Sequence, residues 1–103
     1  MIRDDFTGLS LKSTKNNESR QIDVEGVFIF VGFTPNSTLV PAGITLNKSG
    51  YVVTDDKCET DIPGIFAVGD LRQKYANQIV LAAADGCTAA LAAAHYVETR
   101  SVN

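Results

Sequence analysis

The sequence predicts an α/β fold, on the basis of two apolar runs and one alanine-rich segment. Val27–Val31 and Ile65–Val68 are apolar without alternation, which is typical of strands that are covered on both faces. Residues from about 77 to 97 are rich in alanine, a strong helix former, and are predicted to form one long C-terminal helix. Gly86 weakens that helix by about 1 kcal/mol relative to alanine, which predicts a tight packing contact at this position.

The remaining elements are predicted to be short strands and turns. Residues 8–12 and 21–24 alternate apolar and polar side chains and are expected to begin a β-meander. Gly32–Asn36 ends the predicted strand Val27–Val31, because glycine permits unusual dihedrals and proline ends a strand ladder. Farther on, residues 43–54 are predicted to form a hairpin with glycine in its turn. The polar residues 71–76 are predicted to be an exposed loop.

Composition narrows the classes of function. The chain has 103 residues and a net charge of −3, which argues against nucleic acid or an anionic membrane as the main partner. No apolar run approaches the length of a membrane span and no apolar signal region follows Met1, so a cytoplasmic location is expected. Cys58 and Cys87 form no C-x-x-C motif or zinc pattern. Cys58 is therefore predicted to be an inert loop thiol and Cys87 a small buried residue.

The end of the second apolar run is the strongest candidate for a site. Ligands of α/β folds bind beyond the carboxyl ends of parallel strands, and Gly69 and Asp70 follow Ile65–Val68 directly. Gly69 would allow a ligand to approach the backbone, and the Asp70 carboxylate would accept hydrogen bonds from hydroxyl groups. The helix that begins near Asn77 would add free N–H groups and a positive dipole end. These features also fit a plain turn in which the aspartate caps the next segment.

Longer motifs resemble a known family. The segment T-x-x-P-G-I-F-A-V-G-D, residues 60–70, resembles the second flavin-binding motif of flavoprotein disulphide reductases that have two dinucleotide-binding domains. Gly32–Asn36 resembles the G-x-x-P-N signature of that family. Residues 75–96 look like the C-terminal helix of low-molecular-weight thioredoxin reductases, although many members have an arginine at the position of Asn77. The resemblance implies a partial FAD/NAD(P)-binding Rossmann-like fold, with residues 1–33 ending the NADPH domain and residues 34–103 belonging to the FAD domain.

The resemblance also implies roles for individual residues. Asp70, with Gly69, is expected to contact the ribityl and phosphate region of FAD. Asn77, Gln78 and Ile79 are expected near the isoalloxazine ring, where a helix N-terminus would stabilise the charge of a reduced flavin by about 1 kcal/mol. From the residues alone, Asn77 and Gln78 fit helix N-cap residues equally well.

Three motifs of a complete reductase are absent from the sequence: two G-x-G-x-x-G fingerprints, for FAD and NADPH, and the C-x-x-C dithiol. The chain is therefore expected to be the C-terminal portion of a reductase, to be inactive alone and to need the missing N-terminal portion as its partner. A thioredoxin-like protein is the expected substrate of the parent, and unpaired strands predict a homo-oligomer. The alternatives are a ferredoxin–NADP reductase or a peroxiredoxin reductase of the same fold, or a non-enzymatic module.

Overall fold

The computed structural model describes residues 6–101 and divides the chain into two units, Met1–Gly32 and Phe33–Asn103. The first unit carries strand β1 (Gly8–Lys12) and strand β2 (Ser19–Asp23). The second unit carries helix α1 (Ile79–Arg100) and a short 3₁₀ turn (Gly69–Leu71). The assignment of the units to an NADPH domain and an FAD domain stays a prediction.

The first unit is built on a β-hairpin. β1 and β2 are antiparallel, with Leu9 opposite Ile22, and the N–H of Ser13 donates to the carbonyl of Glu18 at 2.8 Å to close the turn. Asn17 adopts a left-handed conformation in that turn, with a φ of 59°. The first two predicted strands are therefore confirmed, with β2 beginning two residues earlier than expected.

The prediction that Val27–Val31 is a buried strand is wrong for the described chain. Phe28 and Phe30 are more than 80% exposed, at 82% and 85%, and Val31 is also exposed. No backbone hydrogen bond joins this segment to any other part of residues 6–101. A strand needs such a ladder partner, so the apolar pattern alone cannot make this segment a strand.

The second unit is organised around Val52, which is 1% exposed. Val52 forms an antiparallel bridge with Leu46 on one side and a parallel bridge with Arg72 on the other. Its carbonyl accepts a hydrogen bond from the N–H of Gln73 at 2.8 Å. The predicted 43–54 hairpin is thus present, with Gly50 at a φ of 88° in its turn. The bridge between Leu46 and Val52 is the one bridge that joins its two arms.

The sequence predicts a short buried strand at Ile65–Val68, and the structure corrects this prediction. The segment pairs with the preceding chain through one bridge, between Glu59 and Phe66, and through the N–H of Ala67, which donates to the carbonyl of Cys58 at 2.9 Å. Ile65, Phe66 and Ala67 are half-buried and Val68 is exposed. Within the described residues only one edge of the segment is paired, and the pairing there consists of a single bridge.

α1 confirms the predicted C-terminal helix, although it begins at Ile79 and continues to Arg100. Near its end the hydroxyl of Thr99 donates to the carbonyl of His95 at 2.9 Å, and the hydroxyl of Ser101 donates to that of Val97 at 2.8 Å. By length and composition alone α1 could cross a membrane. The expectation that no apolar run approaches the length of a membrane span is therefore wrong for α1, in which Asp85 and Ala89 are the buried residues.

Two expectations for the middle of α1 are wrong. No atom lies within 4 Å of the position that a Cβ on Gly86 would occupy, so the glycine has no tight contact. Cys87 is exposed instead of buried. Both residues belong to a part of the helix surface that no other described segment covers.

Candidate functional site

A hollow of about 300 Å³ lies beyond the end of the Ile65–Val68 segment, and we call it the Asp70 hollow. Asp70 lines it from the 3₁₀ turn, and Asn77 lines it from just ahead of α1. Its other lining residues are Phe33, Thr34, Pro35, Asn36, Tyr51 and Leu71. The structure therefore brings together three features that are separate in the sequence: the G-x-x-P-N segment, the Gly-Asp pair and the start of the helix.

A second hollow, of about 430 Å³, adjoins the first, and we call it the amide-lined hollow. Asn77 lines both hollows, and Gln78 lines only the second. Its other lining residues are Phe33, Asn47, Ser49, Tyr51, Gln73, Lys74 and Tyr75. Ile79 lines neither hollow and is 89% exposed at the first position of α1. Of the five expected site residues, Asp70, Asn77 and Gln78 thus line one or both hollows, whereas Gly69 and Ile79 line neither.

The start of α1 has no side-chain cap. Gln78 is the N-cap residue by its extended backbone, with φ −131° and ψ 144°, but its side chain makes no capping hydrogen bond. The N–H groups of the first helical turn have no intrahelical partners. They carry the positive end of the helix dipole, so this end of α1 favours an electron-rich group.

The turn that precedes the apolar segment is held by Thr60 and by the end of α1. The buried Thr60 hydroxyl donates to the carbonyl of Ile65 at 2.9 Å. Gly64 has a φ of 83°, and a Cβ there would come within 3.0 Å of the Tyr96 hydroxyl. The ring of Tyr96 also meets Phe66 edge to face, with 6.4 Å between the ring centres. The threonine, glycine and phenylalanine of the motif therefore have structural roles.

Gly69 is required by the backbone at the site. Its φ of 81° lies in the left-handed region, where residues with a Cβ are strained. Its N–H donates to Oδ2 of Asp85 at 3.1 Å, so this donor already has a partner within the protein. A role of Gly69 in holding a ligand would then come from its small size and not from its N–H group.

The carboxylate of Asp85 pairs with two cationic side chains near the site. Arg72 donates to both of its carboxylate oxygens, from Nε at 3.0 Å and from Nη2 at 2.8 Å, and Lys74 donates to Oδ2. Arg72 also donates from Nη1 to the hydroxyl of Thr54 at 3.2 Å. Asp85 is 6% exposed and the Lys74 side chain is equally buried, so the expectation of an exposed loop at residues 71–76 is wrong at Lys74.

This pairing shifts the pKa values of the partners in opposite directions. The hydrogen bonds from Arg72 hold the pKa of Asp85 well below its usual range; burial opposes this shift, and Lys74 and the Gly69 N–H add to it. The hydrogen bond to Asp85 raises the pKa of Arg72. Both groups are therefore charged at neutral pH, and the carboxylate is satisfied by donors from Gly69 and from the segment that follows it.

Comparison with known proteins defines the family. The model for the pyridine nucleotide-disulphide oxidoreductases matches residues 2–86, which is most of the chain. The chain belongs to this family. Among curated members, the thioredoxin reductase of Treponema pallidum is 43% identical over 89 residues, covering 86% of this chain and 29% of that protein. The thioredoxin reductase of Bacillus subtilis is 44% identical over 91 residues, covering 87% of this chain and 28% of that protein.

Solved structures of this oxidoreductase family agree with the α/β fold class. Lactococcus lactis thioredoxin reductase matches with a TM-score of 0.77 and 40% identity, over 90% of this chain and 31% of that chain. The chain thus spans just under a third of the length of the relatives that it matches. The predicted fold, part of an FAD/NAD(P)-binding Rossmann-like domain, and the predicted resemblance to thioredoxin reductases are both confirmed.

The charged cluster around Asp85 is what the sequence analysis missed. The sequence pattern predicts only a polar loop around Arg72 and Lys74 and only a helix around Asp85. One signal was present: Asp85 is a lone charge among alanines and follows two cations of a short loop. A buried helix face tolerates such a charge only when it is paired, so a partner in that loop could have been predicted.

Proposed function

We propose that this chain supplies FAD contacts in an NADPH-dependent disulphide oxidoreductase of the thioredoxin reductase type. In this proposal the Asp70 carboxylate accepts hydrogen bonds from the ribityl hydroxyls, beside Gly69. Asn77, Gln78 and Ile79 lie near the isoalloxazine ring. The observation that carries the proposal is that Asp70 and Asn77 line the same hollow of about 300 Å³.

The residues present fit such a cofactor. Asp70 is exposed, and within residues 6–101 its carboxylate accepts no hydrogen bond, so it is free to accept from a polyol. The uncapped first turn of α1 offers donors and a positive dipole end to an electron-rich ring edge. Bound FAD would supply the electron transfer between a nicotinamide and a disulphide. The residues of this chain bind and orient it.

The proposed partners follow from the exposed apolar surface and from the size of the relatives. Phe28, Phe30, Ile79 and Leu91 are all at least 70% exposed, and the relatives are more than three times as long as the matched segment. We infer that the N-terminal portion of a reductase covers these exposed residues. NADPH, a thioredoxin-like protein substrate, a homo-oligomeric state and a cytoplasmic location complete the proposal.

A fusion protein tests the proposal directly. In it, the present chain replaces the matching segment of the T. pallidum thioredoxin reductase, and FAD affinity is measured by titration of the flavin fluorescence. Asp70→Ala is expected to weaken FAD binding by about tenfold or more, as loss of hydrogen bonds to a charged group does. Asp56→Asn, which changes another exposed carboxylate, is the matched control. Equal affinities of the Asp70 variant and the parent fusion would contradict the proposal.

The isolated chain gives a second test. It lacks both glycine fingerprints and the dithiol, so we expect only weak FAD binding and no NADPH-dependent reduction of a disulphide. Reductase activity from residues 1–103 alone would contradict this part of the proposal.

A further inference from the structure

We propose that Asp85 is a positioning residue: it fixes the Gly69–Leu71 turn against α1 and thereby sets where the Asp70 carboxylate stands in the Asp70 hollow. This inference rests on the proposed function for its consequence, which is the affinity for FAD. Its structural part, the position of the turn, stands on the contacts of Asp85 alone.

Asp85 binds the turn from both ends. The residue before Asp70 donates its backbone N–H to Oδ2 of Asp85 at 3.1 Å. The residue just beyond the turn, Arg72, donates to both carboxylate oxygens at 3.0 and 2.8 Å. The N–H of Arg72 also donates to the carbonyl of Gly69 at 3.0 Å, which closes the turn. One buried carboxylate therefore binds the backbone just before Asp70 and the side chain of the residue just beyond the turn.

Asp70 has no comparable restraint of its own. Its side chain is exposed and takes part in no hydrogen bond with another residue of the described chain. The position of its carboxylate consequently depends on the backbone of the turn. A ligand that bonds to Asp70 meets a fixed acceptor only if that backbone is fixed, and a preorganised contact loses less entropy on binding.

The same carboxylate also places a cation. Lys74 lines the amide-lined hollow, and its ammonium group donates to Oδ2 of Asp85. The two positive charges of Arg72 and Lys74 outweigh the single negative charge of Asp85, so the cluster does not repel the carboxylate of Asp70. Asp85 thus acts on both hollows without lining either of them.

The structural part is tested on the full chain by amide hydrogen exchange measured by NMR. Asp85→Asn keeps the shape of the side chain but replaces one acceptor oxygen with a donor. We expect the Gly69 amide to exchange about tenfold faster relative to the amides in the middle of α1, since Gly69, Arg72 and Lys74 must then share the single amide oxygen that remains. Ala89→Gly, at the other buried position of α1, is the control and is expected to change both sets of amides together. An unchanged ratio in the Asp85 variant would overturn the inference.

The functional part is tested by a double-mutant cycle for FAD affinity in the fusion protein. If Asp85 acts through Asp70, Asp85→Asn weakens FAD binding about tenfold in the parent fusion and has no further effect beside Asp70→Ala. A purely structural role predicts additive losses, and additivity would overturn the inference. Failure of the parent fusion to bind FAD would refute the proposed function, while the Gly69 exchange ratio would still decide whether Asp85 holds the turn.

Discussion

The carboxylate of Asp85 accepts a hydrogen bond from the N–H of Gly69 at 3.1 Å, although the two residues are sixteen positions apart in the chain. This bond joins the middle of α1 to the turn that ends the T-x-x-P-G-I-F-A-V-G-D motif. Two parts of the family pattern that are far apart in sequence are therefore one physical unit. The glycine provides the backbone conformation and the helix provides the acceptor.

The first prediction concerns the pH dependence of stability. The pKa of Asp85 is lowered by Arg72 below the value of about 3.9 that an unfolded chain has, so the unfolded state takes up the proton first as the pH falls. The stabilisation from Asp85 is therefore complete above about pH 5 and is lost progressively below it. Asp85→Asn is expected to lower the free energy of unfolding by about 3 kcal/mol at pH 7, because it leaves buried cations without a full partner.

Urea unfolding at pH 7 and at pH 3 checks this prediction. The difference between the parent and Asp85→Asn should shrink at the lower pH. Asp61 serves as a comparison, because the side-chain hydrogen bond from Thr45, at 2.7 Å, lowers its pKa as well, but at an exposed site. Asp61→Asn should have a much smaller effect. A difference that is constant between the two pH values would show that the charge of Asp85 does not contribute.

The second prediction compares two glycines. Gly86 has no atom within 4 Å of its missing Cβ and lies in the helix, so Gly86→Ala should stabilise the chain by about 1 kcal/mol. Gly64 has a φ of 83° and faces the Tyr96 hydroxyl, so Gly64→Ala should destabilise it by about 1 to 2 kcal/mol. The free energies of unfolding in urea would show the opposite signs. Destabilisation by Gly86→Ala would mean that the helix surface there is covered after all.

The third prediction concerns the two thiols. Cys58 is 1% exposed, and burial is the main cause that raises its pKa, whereas Cys87 is exposed on α1. The thiolate is the reactive form, so a coloured disulphide reagent should titrate one thiol of the folded chain and both thiols in urea. Cys87→Ser should abolish the fast reaction. Equal rates for both cysteines would contradict the packing of Cys58.

Local sequence signals predicted the helix and the first hairpin because these elements depend on near neighbours. Alanine content fixes α1 to within a few residues, and alternation identifies β1 and most of β2. The same reasoning failed at Val27–Val31 and was only partly right at Ile65–Val68. An apolar run reports that a segment can be buried, but a strand also needs a paired neighbour, and the described chain supplies none for the first and one edge for the second.

The candidate site also combines residues that local sequence patterns predict with residues that they do not predict. The Gly-Asp pair and the start of the helix could be found from their motif, and the structure places Asp70 and Asn77 around one hollow. The Asp85 cluster has no such motif: a lone charge among alanines predicts a cationic partner but does not identify it, because the contacts join residues more than ten positions apart. Whether a lysine in a loop is solvated or buried against an aspartate depends on tertiary contacts, which a sequence pattern does not contain.

The fourth prediction follows from the exposed apolar run. Phe28, Phe30 and Val31 are between 82% and 90% exposed, and the run is long enough to pair as a strand. Unpaired apolar segments of this kind associate with other chains, so the isolated chain should self-associate at high concentration. Light scattering should show a molar mass above that of a monomer.

Phe30→Lys should shift the chain toward the monomer, because a lysine in an apolar strand opposes edge-to-edge pairing. Gln21→Lys makes a similar charge change at an exposed position of β2 and should leave the association unchanged. A monomeric parent chain at high concentration would contradict the prediction. If both lysine variants reduced the association equally, the association would depend on net charge and not on the apolar run. A specific role of the apolar run requires the lysine at position 30 to have the larger effect.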